Sequence, residues 1–214
     1  KTGGADAKFG LAVEDVGKFV AQAKAINARI EVLHAHVGSG VKENSHWAQL
    51  FAQLASYADD MGTVKAINLG GGLSVPYKDQ EQEFDIQGLA HALLDAKAQW
   101  PHYAVWMEPG RFMVAQSGVL LTQVSQVVSK MGVHRIGLDA GMNALMRPAL
   151  YESKHRIVNI SQREQTISKH FDVVGPICES TDVLAKHILL PENTQEADVM
   201  LIDTAGAYGF VMAN

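Results

Sequence analysis

The sequence predicts two architectures in succession, an α/β first part and an all-β second part. Three observations carry this reading. Apolar runs at residues 30–37, 64–69 and 103–107 alternate with stretches of helical periodicity. The strand–helix units recur at roughly 35–40 residues, as they do along a parallel sheet. Beyond Arg111 this pattern gives way to short β-branched runs separated by turn residues. The boundary therefore falls near residues 111–118, dividing the chain into parts 1–114 and 115–214.

Each element follows from its pattern. Residues 13–26 place Val16, Phe19, Val20, Ala23 and Ile26 at helical spacing, and the strand 30–37 follows. Ser45 is the expected cap of a helix over 46–61, with Leu50, Leu54, Tyr57 and Ala58 on one face. A strand at 64–69, a helix at 86–100 and a strand at 103–107 complete the first part. In the second part, 119–128, 135–139, 157–160, 171–174 and 199–203 read as strands. Residues 181–188 read as the one helix there, capped by Ser180 or Thr181. A complete (β/α)8 barrel takes about 250 residues, so three strand–helix units read as the later part of one.

Composition narrows the function. With 47% hydrophobic residues the chain can bury a core, and its net charge of −5 argues against nucleic acid or an acidic membrane surface as partner. No run approaches the roughly 18 consecutive apolar residues of a membrane span. The single cysteine, Cys178, cannot form an intrachain disulfide, which favours a reducing, cytoplasmic compartment. The opening residues carry no secretory pattern. Both ends read as interior to a longer chain.

Polar groups gather just past the apolar runs, where parallel α/β folds build their sites. The first run leads into His36, Gly38 and Ser39; the second into Gly70-Gly71-Gly72; the third into Glu108-Pro109-Gly110-Arg111. His34 and His36, two apart on a strand, share a face but lack a third ligand at suitable spacing, so no metal is expected. An imidazole there is either a stacking surface for a heteroaromatic ring or a satisfied polar residue. Consecutive glycines either close on a phosphate or simply turn the chain. Glu108 either meets a protonated ring nitrogen or forms a surface pair with Arg111. Cys178, at the start of the predicted helix, is either an activated thiol or a small apolar residue. Arg147 and Tyr151 suit a carboxylate, against the reading of a structural arginine.

Taken together, Lys8-Phe9-Gly10, His36-Val37-Gly38-Ser39, Gly70-Gly71-Gly72, Glu108-Pro109-Gly110-Arg111, Arg147-Pro148-Ala149-Leu150-Tyr151, Cys178-Glu179-Ser180-Thr181-Asp182 and Gly206-Ala207-Tyr208 form a series. Through nearly its whole length the chain resembles the fold-type III pyridoxal-phosphate amino-acid decarboxylases, and within them the members acting on meso-diaminopimelate. The resemblance implies the C-terminal part of a barrel binding pyridoxal 5'-phosphate, followed by a β domain, in a homodimer with shared active sites. It implies that His36 stacks on the cofactor ring and Glu108 keeps the ring nitrogen protonated. Ser39, Gly70, Gly71, Gly72, Gly110, Arg111 and Tyr208 hold the phosphate. Cys178, offered by the partner subunit, returns a proton to the substrate carbon after CO2 leaves. Arg111, Arg147 and Tyr151 clamp a distal carboxylate, and Glu179 accepts a distal ammonium. The implied reaction yields L-lysine and CO2.

Two features depart from the family pattern. The early Tyr-Ala-x-Lys-Ala-Asn strand, whose lysine carries the cofactor, is absent, and Lys8, Lys65, Lys130 and Lys154 do not replace it. The segment expected after Asn214 is also absent. The expectation is therefore a portion of a longer enzyme, inactive by itself. The alternatives are a decarboxylase of another basic amino acid, such as ornithine or arginine, and a non-catalytic regulatory homologue.

Overall fold

The computed structural model describes residues 7–78 and 80–214. They fall into two compact units, residues 7–74 with Glu83–Phe112, and Val75–Gln82 with Met113–Asn214. Among the described residues, no helix is long and apolar enough to cross a membrane.

The first unit is built on β1 (Val32–His34), β2 (Ala66–Asn68) and β3 (Ala104–Trp106), all parallel and adjacent in that order. Each is shorter than its apolar run. The ladder nonetheless continues past the strand ends, through Ala35 N–H to the Asn68 carbonyl, Leu69 N–H to that of Trp106, and Glu108 N–H to that of Gly70. The loops that follow are thus tied to one another by backbone bonds, which is what holds their side chains in place.

Helices α1 (Val13–Ala25), α2 (Ser45–Met61) and α3 (Ile86–Lys97) complete this unit. In α2 the deeply buried stripe is Trp47, Phe51, Ala55 and Ala58, at intervals of four, four and three. The expected stripe through Leu50 and Leu54 lies at its margin, where both are only partly buried. Ser45 is the first helical residue rather than the cap; Asn44 occupies the cap position, with no side-chain capping bond. Helix α2 ends at Gly62, whose φ of 66° is a left-handed conformation that glycine adopts without strain. Asp85 caps α3, its Oδ1 accepting from Gly88 N–H at 2.8 Å. Asp59 of α2 accepts from Trp100 Nε1 and from the Tyr103 hydroxyl, each at 2.8 Å, tying α2 to the connection between α3 and β3.

Short helix α4 (Gly110–Val114) leads to the second unit's six-stranded sheet. Its strands are β4 (Leu120–Lys130), β5 (Val133–Leu138), β6 (Ile157–Asn159), β7 (Ser168–Val174), β8 (Val183–Pro191) and β9 (Val199–Ile202), in the order β6-β9-β4-β5-β7-β8. All pairings are antiparallel except β5 with β7. Val124, Ile136, Leu138, Phe171, Val173, Leu184, Met200 and Ile202 form most of its core.

The helix predicted at 181–188 is not formed; those residues lead into and build β8, which pairs with β7. A short apolar run fits either period, and pairing decides it: the carbonyl and amide groups that a helix would satisfy internally are satisfied by β7 instead. The α-helix that this part does contain is α5 (Arg147–Tyr151), with Pro148 in its first turn.

Candidate active-site groups at the strand ends and in the sheet unit

In the first unit the parallel register aligns His34, Asn68 and Trp106 across three strands. Their neighbours Leu33, Ile67 and Val105 point the other way and pack in the helix-covered core. The opposite face therefore carries polar and aromatic groups, and Glu108, two residues past Trp106, continues it. Asn68 Nδ2 donates to Glu108 Oε1 at 2.8 Å, while Asn68 Oδ1 accepts from Gly70 N–H at 3.0 Å. His34 Nε2 lies 3.6 Å from the same Glu108 Oε1. One asparagine thus orients both the carboxylate and the glycine turn. The Glu108 side chain stays 54% exposed, and both contacts fall on Oε1.

His36 lies beyond β1, and its Nδ1 accepts from Gly71 N–H at 3.2 Å. The glycines are required for close approach. A Cβ on Gly71 would come 2.2 Å from the Glu108 carbonyl oxygen, and one on Gly72 would come 2.3 Å from that of Gly38. Any side chain would push the three strand ends apart. The amides of Gly70 and Gly71 are both engaged internally, and Gly110 N–H donates to the Glu108 carbonyl at 2.8 Å. This departs from the picture of consecutive glycine amides all aimed at a phosphate. Ser39 is exposed three residues past His36, and Arg111 lies in the first turn of α4.

In the second unit, Arg147 is buried at 5% exposure, whereas Tyr151, one turn later on α5, is 62% exposed. Arg147 Nη1 contacts His155 Nε2 at 3.0 Å, and its guanidinium lies over the Tyr77 ring, 4.8 Å from the centroid. Cys178 is a free, exposed thiol. It does not stand at a helix start, because the turn that carries it runs into β8. That turn is pinned by Asp182, which is 3% exposed and accepts from Met142 N–H at 2.6 Å and Ile177 N–H at 2.8 Å. Hydrogen bonds from the Thr181 backbone N–H, then from the Ser180 hydroxyl, hold the Glu179 carboxyl below the usual carboxylate range. Tyr208 is partly exposed, at a φ of 58°.

The structure thus brings His36, Gly70, Gly71, Gly72 and Glu108 into one bonded cluster, and Cys178 with Glu179 onto one anchored turn. Asn68, Tyr77 and His155 are polar parts of these arrangements that the sequence did not single out, and Asp182 appeared there only as part of its motif. Asn68 carried a signal, its place in register with His34; His155 carried none in its local sequence. Among the described residues, no group of three or more His, Cys, Asp or Glu side chains is arranged to hold a metal ion.

Comparison with known proteins gives a consistent picture. Residues 15–206 match the family model of the pyridoxal-dependent decarboxylase C-terminal sheet domain. The whole chain is 33% identical to diaminopimelate decarboxylase of Aquifex aeolicus, covering 51% of that protein. It is 35% identical to diaminopimelate decarboxylase of Escherichia coli K12, covering 54%. The crystal structure of diaminopimelate decarboxylase from Helicobacter pylori complexed with L-lysine matches 98% of this chain and 52% of its own, with a TM-score of 0.87 at 32% identity. The chain spans about half the length of the curated relatives it matches.

Proposed function

Since this chain belongs to the pyridoxal-dependent decarboxylase family, we propose that it is the half of a diaminopimelate decarboxylase that follows the cofactor-bearing lysine. The full-length protein converts meso-2,6-diaminopimelate to L-lysine and CO2. The observation that carries this is 33–35% identity to diaminopimelate decarboxylases over the entire chain. In this reading residues 1–114 supply the cofactor cradle and residues 115–214 the substrate and dimer surface of a cytoplasmic homodimer.

The strand-end cluster fits pyridoxal 5'-phosphate. It offers an oriented, half-exposed carboxylate, an imidazole beside it, and a floor where no side chain fits. When bound, the cofactor supplies an electron-withdrawing ring that makes heterolytic loss of a substrate carboxylate accessible. Glu108 would hold a proton at the ring nitrogen, and His36 would lie against the ring. Around the phosphate, Gly70, Gly71 and Gly110 would shape the backbone. Gly72, Ser39, Arg111 and Tyr208 would supply the donors, because the other amides are already engaged.

For the substrate, Arg111, Arg147 and Tyr151 would recognise the distal carboxylate. Glu179, held ionised at neutral pH by its bonds to Thr181 and Ser180, would accept the distal ammonium. Cys178 would return a proton to the carbon that lost CO2, in the partner subunit's site. The test is turnover by the full-length, cofactor-loaded protein on meso-diaminopimelate, L-ornithine and L-arginine in parallel. Lysine and CO2 from the first, well ahead of the others, is the expected result. Preference for ornithine or arginine would move the chain to another branch of the family. No turnover on any would make it a non-catalytic relative.

A further inference from the structure

His155 is 6% exposed and sits between two partners of opposite character. Its Nδ1 lies 2.9 Å from the Asp203 carbonyl oxygen, and its Nε2 lies 3.0 Å from Arg147 Nη1. A carbonyl can only accept and a guanidinium can only donate. Nδ1 therefore carries the proton and Nε2 accepts, which makes His155 a neutral imidazole of fixed tautomer. Its ring meets that of Tyr77 edge to face, with centroids 5.2 Å apart at 78°. The Tyr77 face in turn lies under the Arg147 guanidinium.

These contacts restrain two different freedoms of one side chain. The Tyr77 ring restrains the plane of the guanidinium, and His155 restrains its rotation within that plane by holding one nitrogen. Recognition of a carboxylate by arginine uses two parallel N–H bonds, so a fork rotated in its plane loses one of them. Asp203 serves the array through its backbone, while its carboxylate accepts from Thr204 N–H and lies 3.6 Å from Arg156 Nε.

We propose that His155 is a positioning residue that sets affinity for the distal carboxylate of the substrate by fixing the orientation of Arg147. This rests on the reading of Arg147 as part of the carboxylate clamp. The test uses the full-length, cofactor-loaded enzyme. His155→Leu removes the acceptor while keeping bulk, and is expected to raise KM for meso-diaminopimelate about tenfold or more, with kcat within about twofold. His155→Gln, whose amide oxygen can take the place of Nε2, is expected to restore KM to within about threefold of the parent. His155→Asn keeps a donor for Asp203 but lacks reach to Arg147, so it should behave like the leucine variant and carries the test if that variant does not fold. Arg147→Ala separates the two readings. If it raises KM while the leucine and asparagine variants do not, the His155 inference is overturned and the clamp stands. If it leaves KM unchanged, the clamp reading fails and the inference with it. A fall in thermal midpoint without a change in KM would mark His155 as structural only, overturning the proposal.

Discussion

Asn68 shows how much a site depends on a residue that performs no chemistry. Its amide spans from Gly70 N–H to Glu108 Oε1, so it fixes the turn and the carboxylate together. A hydrogen bond to a charged group contributes about 1.5–3 kcal/mol. Asn68→Ala should therefore weaken retention of pyridoxal 5'-phosphate by the complete enzyme about tenfold, read from cofactor absorbance after dialysis. Unchanged retention would mean that Glu108 needs no such orientation. Asp59 gives a pH-dependent counterpart. The hydroxyl of Tyr103, then the indole of Trp100, lowers its pKa below the ordinary carboxylate value. A carboxyl lowered by folding stabilises above its unfolded pKa, and that contribution is lost as pH falls through the folded value. The denaturation midpoints of parent and Asp59→Asn should thus differ at pH 7 and converge below about pH 4. A gap independent of pH would contradict this. The same bond, after desolvation, pushes the Tyr103 phenol up to about 12.

Elements make and unmake the sequence reading. Strands β1 to β3 were legible because buried runs bounded by helical periodicity leave little choice of period. Their polar ends were legible because His36, Gly70-Gly71-Gly72 and Glu108 follow at once. The 181–188 segment was not, since Val183, Leu184 and Ile188 satisfy a helical and a strand pattern alike; only pairing with β7 decides between them. Before β8, the turn bearing Cys178 and Glu179 is held by buried Asp182, which takes two backbone N–H groups. Asp182→Ala would remove the acceptor that both N–H groups share, at a cost of about 1–3 kcal/mol in total. The expected outcome for the complete enzyme is a lower thermal midpoint and a reduced kcat, with substrate KM less affected. A kcat equal to the parent's would separate this turn from catalysis.

Across the whole chain, the order of an α/β part and then a β part was visible where helical periodicity stops. What the sequence could not show is long-range. Nothing in Val75–Gln82 marks it as belonging with residues beyond 112, since its allegiance is set by contacts such as those of Tyr77 with Arg147 and His155. Nor does the sequence reveal the buried network at Asn159, 1% exposed, where the side chain donates to Thr194 and Asp198 and accepts from the amides of Ser161 and Gln162. Asn159→Leu should destabilise the complete protein by about 2–4 kcal/mol, because each of those partners loses its bond; chemical denaturation reads this directly, and a change under 1 kcal/mol, roughly the worth of one ordinary hydrogen bond, would contradict it.

In the proposed function this chain supplies the cofactor's cradle but not its covalent anchor. Lys65, the lysine at the head of β2, is already engaged, its Nζ 2.6 Å from Glu31 Oε1. The direct measurement is borohydride reduction of the full-length, cofactor-loaded protein, followed by peptide mapping of the adduct. A single adduct on a lysine outside these 214 residues is the predicted result. A stoichiometric adduct on any lysine of this chain would contradict it.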